Sequence, residues 1–327
     1  MREIHAGILG ATGLVGQEVL AILEERHFPL AELRVAGSAR SVGQRMPVPG
    51  GEVGVQPMDD AFFAGLDVVF SAVASDIARQ AANLARRHAV LLIDKSSAFR
   101  MDPAVPLVVP GVNDAALTGH SGIVASPNCS TIQLVMALAP LAGLAPLASV
   151  EVATYQAVSG AGREAVQEME REAAAADAVP SVFPKRIIGN VIPQVETFGE
   201  NGYSVEEMKL LHETRKIMNL PELPLAATAV RVPVYRGHAE AVTVDFVREV
   251  PTDEAAGRLA ATPGLRYVPM PDVPTPLDAA GNDLVWVGRL RRSLVRETAL
   301  QLFIVSDNLR KGAATNAVQI AERALGL

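Results

Sequence analysis

The stretch IHAGILGATGLVGQEVLAILEE, residues 4–25, decides the fold of the first part of the chain. Residues 4–9 are apolar enough for a buried strand, and residues 17–25 have the periodicity of a helix. The loop between them, residues 10–16, has a glycine at every third position, a variant of the fingerprint that holds a pyrophosphate on backbone N–H groups. Because the strand and the helix are both present, we interpret the loop as a dinucleotide-binding site. The alternative is a sharp strand-to-helix turn that binds nothing.

The loop after the second predicted strand bears on which dinucleotide binds. That strand covers residues 32–36, and the loop GSARSVG follows at residues 37–43. An NAD site places an aspartate or glutamate in this region to bond the ribose 2′-hydroxyl. This loop has no acid and supplies Ser38, Arg40 and Ser41, which suit a 2′-phosphate because arginine gives planar, charged donors. We therefore expect NADP, and the alternative is a solvated turn.

The alternation of strands and helices sets the fold class. Residues 66–72 and 89–94 have the pattern of buried strands, with a helix at residues 77–88 between them, which predicts a parallel, doubly wound sheet. After residue 149 the sequence predicts strands at residues 149–158, 231–238, 240–247, 284–290 and 298–305, extended segments at residues 183–191 and 193–197, and a helix at residues 205–218. Most of these strands follow one another without helices, which indicates a mixed or antiparallel sheet. The last helix, residues 313–324, can return to the first domain.

These patterns together predict an α/β protein of two domains. A chain of 327 residues is long for a single core. We expect residues 1–127 and 307–327 to form a dinucleotide (NADP)-binding domain with a Rossmann-type parallel sheet. We expect residues 128–306 to form an inserted α+β domain with a mixed or antiparallel sheet.

The only cysteine of the chain, Cys129, stands in SPNCSTIQ, residues 126–133. A strand-like run precedes this segment and an apolar helical run follows it, so the proline and the Asn/Ser/Thr cluster indicate a helix start. The positive end of a helix lowers the pKa of a thiol and favours the nucleophilic thiolate. From the residues alone, a nucleophile and a small buried side chain both remain open.

Composition and charge argue against several classes of protein. The formal net charge of −7 argues against a nucleic-acid-binding surface. The longest apolar stretch, residues 134–150, is interrupted by two prolines and is too short to span a bilayer, so we expect no membrane association. A single cysteine excludes an intrachain disulfide and fits a reducing cytoplasm. We also expect no signal peptide, because the chain enters a strand-like run almost at once.

Eight short motifs resemble one family in order and spacing across nearly the whole chain. They are GATGLVG at residues 10–16, SSAFR at 96–100, PNCST at 127–131, YQAVSGAG at 155–162, EEMK at 206–209, RVPVYRGH at 231–238, VGRLR at 287–291 and DNLRKG at 307–312. Each motif alone is modest evidence, whereas the ordered set is highly specific. The chain resembles the bacterial aspartate-β-semialdehyde dehydrogenases.

The resemblance implies an NADPH-dependent oxidoreductase that converts L-aspartyl 4-phosphate to L-aspartate 4-semialdehyde and phosphate. This reaction belongs to the aspartate pathway to lysine through diaminopimelate, to methionine and to threonine. The resemblance assigns Cys129 as the nucleophile that forms a thioester. It assigns His238 as the acid/base that takes the thiol proton and later serves the tetrahedral intermediate, and Gln156 as the residue that orients the thioester. It also implies a homodimer, which makes the inserted domain the catalytic and dimerisation domain.

For the substrate, the resemblance assigns a partner to each charged group. Glu206 would hold the amine, Arg231 the carboxylate, and Arg100 with Lys209 the phosphate, and Asn128 joins this substrate-binding set. Without the family, Glu206 and Lys209 would be interpreted as a solvated helix pair. No metal is implied. The residues assigned to the cofactor are Gly10, Thr12, Gly13, Leu14, Val15, Gly16, Ser38, Arg40, Ser41, Ser159, Gly160, Gly162 and Asn308.

Three other interpretations remain open. An N-acetyl-γ-glutamyl-phosphate reductase does the same chemistry on an uncharged, acylated amine, which would leave Glu206 without a purpose. A dehydrogenase of the glyceraldehyde-phosphate type has no substrate carboxylate for Arg231. A non-enzymatic structural or regulatory homologue should have lost the thiol or the histidine, and both are here. Two positions depart from the family pattern: Lys95 stands where an asparagine is expected, and Gly111 where a glutamate is expected.

Overall fold

The computed structural model describes residues 3–327, and the chain divides into two compact units. The first unit runs to Asn128 and resumes at Ala313, and the second unit is Cys129–Gly312. The second unit is therefore an insertion in the first. The domain boundaries predicted from the sequence follow residues 127 and 306. Within residues 3–327, no helix has both the length and the apolar character needed to cross a membrane.

Strands and helices are numbered here in chain order. The strands are β1 (Ile4–Leu9), β2 (Leu30–Ala36), β3 (Arg45–Val48), β4 (Gly51–Gln56), β5 (Val68–Ser71), β6 (Leu91–Asp94), β7 (Ile123–Ala125), β8 (Leu147–Gln156), β9 (Leu225–Arg231), β10 (His238–Phe246), β11 (Leu265–Val268), β12 (Val285–Arg292) and β13 (Ala299–Ser306). The helices are α1 (Leu14–Glu25), α2 (Asp60–Phe63), α3 (Ser75–His88), α4 (Cys129–Ala142), α5 (Arg163–Ala174), α6 (Val205–Met218), α7 (Thr252–Ala261), α8 (Pro276–Ala279) and α9 (Thr315–Leu325).

The first unit is built on a seven-stranded sheet in the order β3-β4-β2-β1-β5-β6-β7. Every neighbouring pair is parallel except the β3–β4 hairpin at one edge. Apolar residues of β1, β5 and β6 pack in one core with residues of α1 and α9, such as Ile22 and Val318. This arrangement confirms the predicted Rossmann-type parallel sheet.

The second unit is built on a six-stranded sheet in the order β11-β12-β13-β10-β8-β9. The central strand β10 is antiparallel to β8 and β13, while β9 lies parallel to β8 and β11 parallel to β12. The sheet is therefore mixed, as predicted. The helix α4 packs against β10, β12 and β13 and also against α6, so these two helices lie together in this unit.

Two segments differ from the sequence prediction of strands. Residues 231–238 were expected to form one strand, but β9 ends at Arg231 and β10 begins at His238. Pro233 lacks a backbone donor, and Gly237 has a left-handed φ of 94°, so the segment between them continues neither strand. The extended segments predicted at residues 183–191 and 193–197 form no named strand, and the one isolated bridge of this described region is at Ile192, between them.

Candidate active site

Cys129 is the first residue of α4, directly after the short link from β7. The predicted helix start is therefore confirmed, and the thiol lies at the positive end of a helix of 14 residues. The side chain is half-buried. A Cβ atom on Gly312 would lie 3.0 Å from the Cβ of Cys129, so the glycine at position 312 leaves room for the cysteine.

Four buried polar side chains form a row across the ends of four neighbouring strands of the second sheet. Arg231 is paired with Gln156 across β9 and β8, and His238 with Ser306 across β10 and β13. Each of these residues stands at the end of its strand, and all four are almost fully buried. Because paired residues share a face of the sheet, the four side chains lie side by side. We call Gln156, Arg231, His238 and Ser306 the polar row.

Gln156 connects the polar row to two helices. Its Nε2 donates to Oγ of Ser130 at 2.8 Å and to Oε1 of Glu206 at 2.9 Å. Ser130 follows Cys129 in the first turn of α4, and Glu206 lies in the first turn of α6. Gln156 therefore fixes the first turn of α4 relative to the buried carboxylate of Glu206.

His238 is held in one tautomer by the backbone. The N–H of Ala157 donates to Nδ1 of His238 at 3.0 Å, and a backbone N–H can only donate. The neutral ring therefore carries its proton on Nε2. A Cβ atom on Gly160 would lie 3.0 Å from this Nε2 and 3.0 Å from Nη1 of Arg231, so the backbone at Gly160 passes close to both functional groups.

Arg231 is a buried cation beside the thiol. Its Nη1 donates to the carbonyl oxygen of Ala157 at 2.7 Å. Burial lowers the pKa of Arg231, and the charges of Glu206, Cys129 and Glu196 act in the opposite direction. The guanidinium, the thiol and the carboxylate of Glu206 are therefore close enough to interact through their charges.

Glu206 and Lys209 form a pair that is more buried than a solvated helix pair. Glu206 is 4% exposed. Nζ of Lys209 lies 3.3 Å from Oε2 of Glu206 and 2.5 Å from Oε1 of Glu196. The helix α6 that carries both residues begins with a capping box between Ser204 and Glu207, which fixes their position.

The glycine loop of the first unit has the geometry that a pyrophosphate needs. Gly10 has a φ of 77°, and a Cβ atom there would lie 2.5 Å from the carbonyl oxygen of Ala72. Gly13 is the N-cap of α1 and has no side chain with which to cap it. The first-turn N–H groups, which include those of Leu14 and Val15, are thus left for a ligand. The residues present fit a dinucleotide.

The loop after β2 presents an arginine to solvent. Within residues 3–327, the guanidinium of Arg40 has no hydrogen-bond partner, and its side chain is exposed. Ser41 is buried against Gly37, and its Oγ donates to the carbonyl oxygen of Ser38 at 2.9 Å. Ser41 therefore shapes the loop, and Arg40 is the side chain that extends from it.

Four residues predicted to approach the cofactor, Ser159, Gly160, Gly162 and Asn308, lie in the second unit. Nδ2 of Asn308 donates to Oγ of Ser159 at 2.9 Å, and Oδ1 of Asn308 accepts from the N–H of Gly237 at 2.9 Å. Gly162 has a φ of 94° and is the N-cap of α5. Asn308 therefore joins the turn before β10 to the turn after β8.

Arg100 and Asn128 belong to the first unit and are buried. Nε of Arg100 donates to the carbonyl oxygen of Ser126 at 3.1 Å, and Nη2 donates to that of Lys95 at 2.6 Å. Lys95 thus supports Arg100 through its backbone. The other departure from the family pattern, Gly111, has a φ of 89°, which favours glycine over glutamate at that turn.

The sequence analysis missed two neighbours of Arg231. The ring of Phe183 lies 5.9 Å from the guanidinium carbon, and the charge of Glu196 acts on the same group. Both residues lie in loops between α5 and α6, and neither stands in a motif that resembles the family. Their proximity to Arg231 in the folded chain is what identifies them.

Comparison with known proteins decides the family. The chain matches the model of the semialdehyde dehydrogenase NAD binding domain at residues 5–120 and that of the semialdehyde dehydrogenase dimerisation domain at residues 138–311. It is 42% identical to the aspartate-semialdehyde dehydrogenase of Bacillus subtilis, over 98% of this chain and 97% of that protein. The chain belongs to the aspartate-semialdehyde dehydrogenase family.

Solved structures of aspartate-semialdehyde dehydrogenases have the same fold as this chain. The crystal structure of aspartate semialdehyde dehydrogenase II from Vibrio cholerae, complexed with ASA, has a TM-score of 0.98 and 38% identity, covering 100% of this chain and 99% of that one. The structure from Candida albicans with NADP has a TM-score of 0.79 and 26% identity, covering 98% of both chains. The resemblance seen in the short motifs is therefore confirmed over the full length.

Proposed function

We propose that this chain is an NADP-dependent aspartate-semialdehyde dehydrogenase that acts through Cys129. The reaction is the reductive dephosphorylation of L-aspartyl 4-phosphate. The observation that carries the proposal is the buried pair of opposite charges, Arg231 and Glu206, beside the thiol. An aspartyl substrate has a carboxylate and an ammonium close to its acyl carbon, so this pair matches both groups.

The thiolate of Cys129 attacks the acyl phosphate, and a carbon–sulfur bond forms as phosphate leaves. The helix start and the charge of Arg231 both favour the thiolate over the thiol. The first-turn N–H groups of α4 can also stabilise the oxyanion that forms at the acyl carbon. Gln156 orients the thioester through its bonds to Ser130 and Glu206.

His238 serves this reaction as a hydrogen-bond donor at Nε2. Taking the thiol proton at Nε2 would require the other tautomer, whose Nδ1–H would face the N–H of Ala157. We therefore narrow the acid/base role expected from the family to hydrogen bonding, because a neutral ring that gave up its Nε2 proton would become an imidazolate anion. The Nε2–H bonds first to the thiolate and then to the oxyanion of the tetrahedral intermediate, which collapses to the aldehyde and the Cys129 thiolate.

The substrate is held by charge. Arg231 would pair with the α-carboxylate and Glu206 with the α-ammonium, while Lys209, Arg100 and Asn128 would hold the phosphate end of the substrate. The buried carboxylate of Glu206 disfavours an N-acetylated substrate, because that amine carries no charge to offset the carboxylate. The N-acetyl-γ-glutamyl-phosphate reductase alternative is therefore disfavoured.

The glycine loop and the loop of Arg40 would hold NADP. The N–H groups at the start of α1 would bind its pyrophosphate, and Arg40 its 2′-phosphate. Ser159, Gly160, Gly162 and Asn308 would approach its other end. When bound, NADPH supplies the hydride that reduces the thioester to the aldehyde.

We also propose a cytoplasmic homodimer. The second unit matches the dimerisation domain of the family over residues 138–311, which supports a dimer formed through this unit. A single cysteine, used as a reduced nucleophile, suits a reducing compartment.

An enzyme assay tests the proposal. The purified protein should reduce NADP⁺ with L-aspartate semialdehyde over many turnovers only when phosphate or a phosphate analogue is present to release the acyl group from Cys129. N-acetylglutamate semialdehyde, assayed in parallel, should be turned over at least about 100-fold more slowly, because its neutral amide offers no positive charge for Glu206 to bind. Equal or faster turnover of the acetylated aldehyde would contradict the proposed substrate.

A further inference from the structure

Glu240 is a fully buried acid that the proposed mechanism does not use. It lies on β10, two residues after His238, so both side chains point to the same face of the sheet. Its paired neighbours are Ile304 on β13 and Thr154 on β8. The exposed fraction of Glu240 is 0%. Its carboxyl group therefore lies in the layer directly beneath the polar row.

Buried polar atoms with unused hydrogen-bonding capacity surround this carboxyl group. Within residues 3–327, neither oxygen of Glu240 has a hydrogen-bond partner of good geometry, and the same holds for Nε2 of Gln133 and Oγ1 of Thr154. Thr154 is opposite Glu240 in the sheet, and the amide of Gln133 acts on the carboxyl group. Buried polar groups are rarely left unpaired, so small side-chain rotations should join these three.

Gln133 connects Glu240 with the part of α4 that carries Cys129. It lies one turn after Cys129 on α4, and its Oε1 accepts from Oγ of Ser306 at 2.6 Å. Ser306 is a member of the polar row. A second hydrogen bond, from Nε2 of Gln133 to Glu240, would join this turn of α4 to the sheet at two points.

The charges near Glu240 disfavour an ionised carboxylate. Burial raises the pKa of Glu240 well above its usual value, the amide of Gln133 opposes this rise, and the charge of Glu206 adds to it. The other titratable groups of the polar row and of α4 are His238, Arg231 and Cys129. His238 is held as a neutral ring, and Arg231 already interacts with Glu206 and Cys129.

We propose that Glu240 is a positioning residue that works as a neutral carboxylic acid. Its carbonyl oxygen accepts from Gln133 and its O–H donates to Thr154, which fixes the turn of α4 next to Cys129. This inference rests on the proposed function of that cysteine. The neutral form matters because an anion at Glu240 would add a second buried negative charge beside Glu206 and disfavour an anionic substrate.

This arrangement has a consequence at alkaline pH. When Glu240 loses its proton, its negative charge joins that of Glu206, with which it interacts, and weakens the binding of an anionic substrate. We expect kcat/KM of the wild type to fall as pH rises through this ionisation. E240Q keeps the shape and both hydrogen bonds and cannot ionise, so its profile should lack this fall.

Two substitutions at this position, with one control, test the proposal. E240Q should fold and keep kcat/KM at pH 7 within about twofold of the wild type, whereas E240L, which cannot pair with Gln133, should lose about tenfold. E151Q, at an exposed glutamate on β8, should match the wild type at every pH. The proposal is overturned if E240Q is inactive or unfolded, if E240L is as active as the wild type, or if the E240Q and wild-type pH profiles superpose.

Infrared spectroscopy tests the protonation state without using activity. The difference spectrum of wild type minus E240Q at pH 7 should contain the carbonyl band of a protonated carboxylic acid. A difference spectrum with a carboxylate band in its place would show an ionised Glu240 and overturn the proposal. This band does not depend on the substrate, so it reports on Glu240 alone. The wild-type activity assay reports on the proposed function, and the two failures can therefore be told apart.

Discussion

Gly160 lies where two functional side chains come closest to the backbone. A Cβ atom there would meet Nε2 of His238 and Nη1 of Arg231, both at 3.0 Å. Both groups are also fixed on the backbone of Ala157, one through its N–H and the other through its carbonyl oxygen. His238 and Arg231 are thus fixed by one short segment of chain, and a methyl group at position 160 would displace them together.

We predict that Gly160→Ala lowers kcat/KM for aspartate semialdehyde by about 10- to 100-fold, because a small displacement of catalytic groups has effects of that size. The melting temperature should change little. Gly257→Ala is the matched control, because a Cβ atom on this helical glycine meets nothing within 4 Å. Steady-state kinetics on both variants check this, and a fully active Gly160→Ala would show that the close approach does not constrain the site.

Arg40 is the charged side chain that we propose binds the 2′-phosphate of NADP. We predict that Arg40→Ala raises the KM for NADPH by about tenfold or more, because a charge-assisted contact to the 2′-phosphate is lost. The KM for NADH should stay nearly the same, since NADH has no 2′-phosphate. Arg45→Ala, at an exposed arginine paired with Glu52 on the neighbouring hairpin, is the control. Equal effects of Arg40→Ala on the two cofactors would refute the 2′-phosphate assignment.

The helix α5 holds a loop of the second unit through buried carboxylates. Glu168 accepts hydrogen bonds from the backbone N–H groups of Ser181, Val182 and Phe183, and Glu172 accepts from two further N–H groups of the same loop. Phe183 carries the ring that lies against Arg231. The position of that ring in the candidate site is therefore set by a helix that contributes no predicted catalytic group.

The hydrogen bonds that Glu168 accepts from this loop should make the free energy of unfolding depend on pH. Burial alone would raise the pKa of Glu168, but the hydrogen bonds from Ser181, Phe183 and Val182 together outweigh it and hold the pKa below its usual value. A lowered pKa means that the contribution to stability is complete above the usual pKa of a glutamate. It is lost as pH falls through the lowered value in the folded protein.

We predict that Glu168→Gln lowers the free energy of unfolding by about 1–3 kcal/mol at pH 7, and that the difference from the wild type shrinks under acid conditions. Urea unfolding of both proteins at several pH values measures this difference. Glu170→Gln, at an exposed position on the same helix, is the control. A difference that stays constant or grows toward acid pH would contradict the stabilising role of the ionised Glu168.

Particular elements show what could be predicted from the sequence. The helix α6 was expected at residues 205–218 and lies there, because its apolar periodicity and its capping box are both local signals. The extended segment predicted at residues 183–191 is a loop, because the N–H groups of Phe183, Ile187 and Ile188 donate to glutamates of another helix. Glu240 gave no signal either, since a glutamate in an alternating strand indicates a solvated face until the covering helix is known.

The two units of the molecule carry different parts of the proposed chemistry. The glycine loop and Arg40 lie in the first unit, while Cys129, Gln156, Arg231 and His238 lie in the second. The family likeness spans both units at nearly full length. The roles of the individual residues rest on the geometry within each unit, and the covalent role of Cys129 is the assignment on which the others depend.

The most direct test of that role is the mass of the protein during a single turnover without phosphate. After mixing with L-aspartate semialdehyde and NADP⁺ and quenching in acid, the wild type should gain one aspartyl group on the peptide that contains Cys129. One equivalent of NADPH should form at the same time, and Cys129→Ala should show neither product. An equivalent of NADPH without the adduct, or an adduct on another residue, would contradict the thioester mechanism.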